Sequence, residues 1–339
     1  MRPKAVTQKE IAQRAGVSTA TVSRALNDQP GVDPDVRARI LSIAAELGYT
    51  RNATAASLAT SVTQTVAFVV RARHAGVDDP FYPLIMAGAE AYLSEHGYHV
   101  LLSSVDGHVA AGPYDIPAVS QGRVDGLIVA GPDISSAFII GMLTAGVPMV
   151  LIDNCLTQTA VNCVLNDDQG GAYAAARHMI EHGHKDIVFL SGPREWVSSR
   201  ERAGGYRRAM EEAGLQPLML YGPETTIDSG MVLMPQALES WPGLTAVCTV
   251  NDAVAIGAFR AAAQLGRRSP HDLAVVGFDD TSWAAIHEPP LSTVRVFKRR
   301  IGELAAQRFL DCVRHPGAAP VKALVSTKLI LRESCGHES

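Results

Sequence analysis

The chain lacks the marks of several protein classes. Its five cysteines (Cys155, Cys163, Cys248, Cys312 and Cys335) are scattered, odd in number and never spaced as CxxC. Reduced structural thiols are expected, with no disulfide framework and no cysteine metal site. No stretch approaches the about eighteen consecutive apolar residues that a membrane span needs, and the run at 66–70 is far too short. Residues 1–30 are polar and without the apolar core of a signal peptide, which predicts a cytoplasmic protein with no membrane partner. GxGxxG, GxxxxGKS/T and GxSxG are all missing. His178, His182 and His184 cluster without a cysteine or carboxylate set at ligand spacing, so solvated helix-end histidines are expected. His287-Glu288 has no partner for acid–base work. No catalytic residue, metal or cofactor is therefore expected, and an enzyme is the weaker reading.

What is present is 339 residues, 47% hydrophobic and 19% charged, enough for a small domain and a large α/β one. The net charge of −4 is unevenly spread. Residues 1–60 hold eight Lys/Arg against five Asp/Glu, which leaves an excess of seven negative charges on the rest. A basic head on an acidic body suits a separate DNA-contacting module, and chance fluctuation over a short segment is the alternative.

Thr7-Gln8-Lys9-Glu10 has capping-box spacing, and Ile11, Ala12 and Ala15 follow as an apolar helix face. Gly16 is placed to end that helix in the left-handed conformation, and Val17 plugs the turn. Ser18 caps a second helix that buries Val22, Ala25 and Leu26 and turns Thr19, Ala20, Thr21, Ser23 and Arg24 outward. Asp33 and Pro34 announce a third helix with Val36, Ile40, Leu41, Ala44 and Leu47 inward and Gly48 closing it. Two short helices across a glycine turn, braced by a third, make a helix-turn-helix. The small hydroxylated side chains allow close approach to a major groove, and Arg24 suits a guanine edge or a phosphate. A three-helix protein-interaction module is the alternative, although it needs no such outward face.

Thr7, Ile11-Ala12, Ala15-Gly16-Val17-Ser18, Thr21-Val22-Ser23-Arg24 and Leu26-Asn27 together resemble the N-terminal signature of the lactose/galactose repressor (LacI/GalR) family. The resemblance implies that Thr19, Ala20 and Arg24 read bases, while Thr7, Ser18, Thr21, Ser23 and Asn27 anchor phosphates. Ala20 has no hydrogen-bonding group and is left to an apolar base surface such as a thymine methyl. The alanine-rich segment after Asn52 is similar to the family's hinge and is marginal as a helix alone. Leu58 holds the place of the leucine that wedges the minor groove, and Arg51, Asn52 and Ala55 complete the expected DNA contacts. Arg51 stands where the family usually has proline, and Ala56 where a basic or amide residue is common. An ordinary linker role for Leu58 is the alternative.

From Val66 onward, strand-length apolar runs (66–70, 100–103, 126–129, 148–153, 186–190, 246–250, 273–277) alternate with helix patterns (82–96, 170–182, 202–213, 253–265). That alternation predicts parallel sheets with helices on both faces, in two subdomains. Residues 104–120 are the least regular. Pro80-Phe81-Tyr82, Val124-Asp125-Gly126, Ser191-Gly192-Pro193, Asn251-Asp252, Gly277-Phe278-Asp279-Asp280 and Pro289-Pro290-Leu291 extend the resemblance along nearly the whole body. It implies the type I periplasmic-binding-protein fold, two Rossmann-like lobes joined by three crossovers. The expected organisation is an all-α helix-turn-helix domain over 1–50, a hinge and linker over 51–64, and an α/β body over 65–334. One lobe is placed at about 65–161 plus 294–322, the other at about 162–293 plus 323–334.

Ligands of open α/β sheets sit beyond the carboxyl ends of strands. Asp153, Asn251 and Asp279 fall there, and Arg200 lies between a strand and a helix. Carboxylate, amide and guanidinium suit vicinal hydroxyls, and Phe81, Tyr82 and Trp196 offer flat faces to a sugar. The resemblance implies ligand contacts at Asp153, Arg200, Asn251 and Asp279. Helix capping by Asn251 and surface pairing of Arg200 with Glu201 or Asp228 are the alternatives. The expected function is a homodimeric repressor that reads a pseudo-palindromic operator in double-stranded DNA and responds to a carbohydrate effector. A nucleobase or nucleoside effector stays open, as does a small-molecule-binding protein that does not bind DNA.

Overall fold

The computed structural model describes residues 6–49, 62–76, 80–105 and 116–336, in two compact units, Met1–Thr63 and Gln64–Ser339. In the first, α1 (Gln8–Ala15), α2 (Thr19–Leu26) and α3 (Pro34–Glu46) enclose a core built on Ile11, Val22, Ala25 and Ile40. Both halves of the capping box form: the Thr7 hydroxyl accepts from the Glu10 N–H, and the Glu10 carboxylate accepts from the Thr7 N–H at 2.7 Å. Gly16 ends α1 at φ 68°, a conformation that a side chain would strain. Leu41, expected inward, is 47% exposed, and Ile43 takes the inward place. From Ile40 the buried stripe continues three and four residues on, at Ile43 and Ala44, and Leu41 lies off it.

The second unit runs β1 (Thr65–Arg71), α4 (Tyr82–Glu95), β2 (His99–Val105), α5 (Pro117–Ser120), β3 (Gly126–Ala130), α6 (Ser136–Thr144), β4 (Met149–Ile152) and β5 (Asn162–Asn166). It continues with α7 (Asp168–Glu181), β6 (Ile187–Ser191), α8 (Val197–Glu212), β7 (Leu218–Tyr221), α9 (Ile227–Ser240), β8 (Ala246–Thr249), α10 (Asp252–Gln264), β9 (Ala274–Asp279) and α11 (Ser282–Ile286). β10 (Ser292–Arg295), α12 (Lys298–Arg314), β11 (Lys322–Val325) and β12 (Lys328–Ile330) complete it. Two six-stranded sheets result, ordered β11-β5-β4-β3-β1-β2 and β12-β10-β9-β8-β6-β7. Pairing is parallel throughout except for β10 with β12. β3, β4, β6 and β8 are buried at every residue, as strands covered by helices on both faces must be.

The chain passes between the sheets three times, after β5, β10 and β11. Three lobe boundaries differ from expectation. Residues 162–166, expected to open the second lobe, pair with β4 (Leu151 opposite Cys163) and extend the first sheet. Residues 292–295 pair with β9 in the second sheet, and 322–325 form the outer strand of the first. Apolar periodicity marks a strand but not the sheet that receives it.

Three helix pairs (α4 with α12, α7 with α8, α9 with α10) make the densest helix contacts. A Cβ on Gly302 would overlap the carbonyl of Ile85, so α4 and α12 touch through their backbones. No helix among the described residues is long and apolar enough to cross a membrane.

Candidate functional site

In the helical unit, Ser18 caps α2 by accepting from the Thr21 N–H at 3.1 Å, and its hydroxyl meets that of Thr21 at 2.9 Å. Thr7, Ser18, Thr19, Ala20, Arg24 and Asn27 are exposed, and Thr21 and Ser23 are half-buried. The described side chains expected to meet DNA are thus exposed or half-buried, along α2, at its two caps and at the cap of α1. Sequence reasoning missed the brace behind it. Arg37 donates to Ala25 O at 3.2 Å, Asp28 Oδ1 at 2.7 Å and Gln29 O at 2.6 Å, tying the end of α2 to α3. Arg51, Asn52, Ala55, Ala56 and Leu58 lie outside the described residues.

In the body, a cavity of about 520 Å³ opens beyond the carboxyl ends of strands from both sheets. The first sheet contributes Arg73 and His74 after β1, Phe81 and Tyr82 at the start of α4, Pro132 after β3 and Asp153 after β4. The second contributes Trp196 and Ser198 after β6, Glu224–Asp228 after β7, Asn251 after β8, and Asp279, Thr281 and Trp283 after β9. Six of the seven expected effector residues therefore meet here: Phe81, Tyr82, Asp153, Trp196, Asn251 and Asp279.

Arg200 is the exception. It is exposed and, among the described residues, its side chain pairs with Glu201 alone, at 3.4 Å. Helix α8 begins at Val197, several residues before its expected start at 202, which places Arg200 on the outer face and Arg202 inward. Arg202 is the cavity's buried guanidinium. It donates to Asp168 Oδ1 at 2.8 Å and to Val250 O at 2.5 Å, lies 3.2 Å from Asp279 Oδ1, and stacks over Phe278 at 3.8 Å. Asn251 serves its alternative role as well. It caps α10 by accepting from the Val254 N–H at 2.9 Å and donates to Thr225 O at 2.9 Å.

The cavity floor concentrates charge away from water. Burial pushes the Asp153 carboxyl up to about 7, reinforced by Asp168 and opposed by Arg202. Burial likewise lifts Asp279 to about 6 against Arg202 and Lys298, and raises Asp168 despite Arg202. Burial disfavours the Arg202 charge, yet Asp168, Asp279 and Asp153 outweigh it and hold its pKa above the ordinary value. Asp252 is pushed up to about 7 by burial and by Asp279, while accepting from Thr281 and Thr293. Behind the site, the Lys298 ammonium donates to the carbonyls of Asp279 and Asp280, both at positive φ (103° and 50°). The Tyr82 hydroxyl donates to Asp153 at 3.2 Å. Fixed donors, acceptors and carboxyls that hold protons near neutrality, walled by Trp196, Trp283 and Phe81, suit a neutral ligand with several hydroxyls and an apolar face.

His178 departs from the expected solvated state. It is buried on the inner face of α7, with Nε2 3.4 Å from Cys335 Sγ and its ring 4.1 Å from that of His182. Among the described residues no group of three or more His, Cys, Asp or Glu is placed to hold a metal ion.

A sequence model of bacterial regulatory proteins of the lacI family matches residues 7–52, and one of a periplasmic binding protein-like domain matches residues 176–335. The ribose operon repressor of Haemophilus influenzae is 30% identical over 331 residues, spanning 97% of this chain and 98% of that protein. The lac repressor dimer bound to operator and the anti-inducer ONPF is similar at a TM-score of 0.82 and 27% identity, over 98% of this chain and 99% of the other. The complex of the transcriptional regulator CelR with cellobiose is similar at a TM-score of 0.76 and 32% identity, over 97% and 99%.

Proposed function

This chain belongs to the LacI family of bacterial regulatory proteins, and on that footing we propose that it is a DNA-binding transcription repressor whose operator affinity is set by a sugar or sugar derivative in the cleft. Residues 1–50 read the DNA, 51–64 connect, and 65–334 bind the effector and pair with a second copy. Thr7, Ser18, Thr21, Ser23, Asn27 and Arg51 anchor phosphates, and the Lys and Arg charges of the head make binding salt-dependent through counterion release. Arg24 reads a base edge and Ala20 a thymine methyl. Paired heads match a pseudo-palindrome.

The observation that carries the effector reading is the buried Arg202–Asp153–Asp168–Asp279 cluster, set beneath aromatic walls in a cavity of about 520 Å³. Thermal-shift measurement of the full chain with ribose, cellobiose and adenosine tests it. Stabilisation by one of the sugars supports the reading, and stabilisation by adenosine alone overturns the sugar assignment. A purine or nucleoside is the second reading, because the indoles of Trp196 and Trp283 line the cleft and would stack a planar base.

A further inference from the structure

Two loops from opposite sheets are tied together at the cleft. Arg73 follows β1 of the first lobe. Its guanidinium donates to Asp133 Oδ2 at 2.7 Å, in the loop beyond β3 of the same lobe, and to Glu224 Oε2 at 2.5 Å, beyond β7 of the second lobe. It also lies 5.4 Å from the ring centroid of Trp196, which immediately precedes α8 in the second lobe. Asp133 is the fixed end: its side chain is 5% exposed. Burial would lift its carboxyl, but His74 and Arg73 hold it below the ordinary range. Glu224 is the loose end, at 41% exposed. Arg73, Trp196 and Glu224 all form part of the cavity wall.

We propose that Arg73, aimed by Asp133, is a positioning residue of the effector site: a clasp across the cleft that sets how much of the protein is closed before any effector arrives. Half-exposed ion pairs are usually weak because two long side chains must be ordered for one contact. Here Asp133 already holds the guanidinium, so closure orders Glu224 alone, and Trp196 adds a cation–π contact. A contact that exists only with the lobes together biases the equilibrium toward closure. An effector that needs the closed cleft then binds with an apparent affinity scaled by that closed fraction. The inference rests on the cleft being the effector site, but its test requires no effector.

Hydrogen exchange of the full-length, ligand-free chain supplies the test. It compares wild type, Arg73→Met, Glu224→Gln and the double variant, following amides at 278–284, a stretch that carries the cleft residues Asp279, Thr281 and Trp283 and is remote in sequence from both substitutions. Each single replacement is expected to speed exchange there about two- to fivefold, the range of a half-exposed pair. The double variant should be no faster than the faster single, because both substitutions break one contact. Unchanged exchange in both singles, or effects that multiply in the double, overturns the clasp. Glu224 is half-exposed, so should Arg73→Met fail to fold, unchanged exchange in Glu224→Gln suffices to overturn it. A failed sugar screen with this cycle intact would remove the carbohydrate reading and leave the clasp standing.

Discussion

Replacing Arg202 with methionine isolates the electrostatic role of the cavity floor. Methionine keeps much of the aliphatic stem, so what is lost is the charge, its stacking over Phe278 and its bonds to Asp168 and Val250, together with the Asp279 contact. Removing one partner of a buried ion pair costs roughly 3–5 kcal/mol. The orphaned Asp168, whose side chain is 4% exposed, must then take up a proton. From an ordinary pKa of 3.8, protonation costs about 4 kcal/mol at pH 7 and about 2 kcal/mol at pH 5. Urea unfolding should therefore show Arg202→Met several kcal/mol less stable than wild type at pH 7, with the deficit smaller at pH 5 by at most about 2–3 kcal/mol, because Asp168 is already raised in the wild type. Adding Asp168→Asn should recover part of the loss, since it removes the orphaned carboxylate. A deficit under about 1 kcal/mol at pH 7, or one of equal size at both pH values, would refute this account of the floor.

Three further outcomes are expected. Asp153, pushed up to about 7, carries stability that is full below its unfolded pKa and is lost as pH rises through the folded value. Asp153→Asn should therefore flatten the stability profile between pH 4 and 7, and an unchanged slope in urea titrations would contradict the burial argument. Gly302→Ala would drive a Cβ into the Ile85 carbonyl and should destabilise by about 1–3 kcal/mol. Gly204→Ala, where the nearest atom is 3.8 Å away, should instead stabilise by about 0.5–1 kcal/mol, and thermal melts separate the two signs. Arg24→Ala should cost about 1–3 kcal/mol in DNA binding and relax the sequence preference at one base pair, measured by competition against single-base operator variants. Equal loss on every sequence would make Arg24 a phosphate contact instead.

Local chemistry made the helical unit legible. Thr7, Glu10, Gly16, Ser18 and Asp33 each act within a few residues of themselves, and each does in the structure what its spacing predicts. The strands of the body were readable for the same reason, as continuous apolar runs. Sheet membership was not, because the partner of β5 or β11 is fixed by tertiary pairing. The start of α8 was missed because no side chain caps it. That one error moved the guanidinium from Arg202 to Arg200. The inward stripe Ser198, Ser199, Arg202, Ala203, Tyr206 carried the correcting signal in its helical spacing. Asp168 could not be read as part of the site, since it meets Arg202 only when α7 and α8 pack together. The strand-end rule located Asp153, Asn251 and Asp279. Applied to β1 and β7, it would also have located Arg73 and Glu224.

On the proposed function, a small molecule in the cleft of the body governs DNA binding by the helical unit. Fluorescence anisotropy of the full chain on DNA from its own upstream region, with and without a ligand that raises the melting temperature of the body, tests it most directly. The expected result is saturable, salt-dependent binding whose affinity changes about 5- to 150-fold with ligand, and no comparable binding by a chain lacking residues 1–60. Equal DNA affinity with and without such a ligand, or equal binding by the shortened chain, would contradict it.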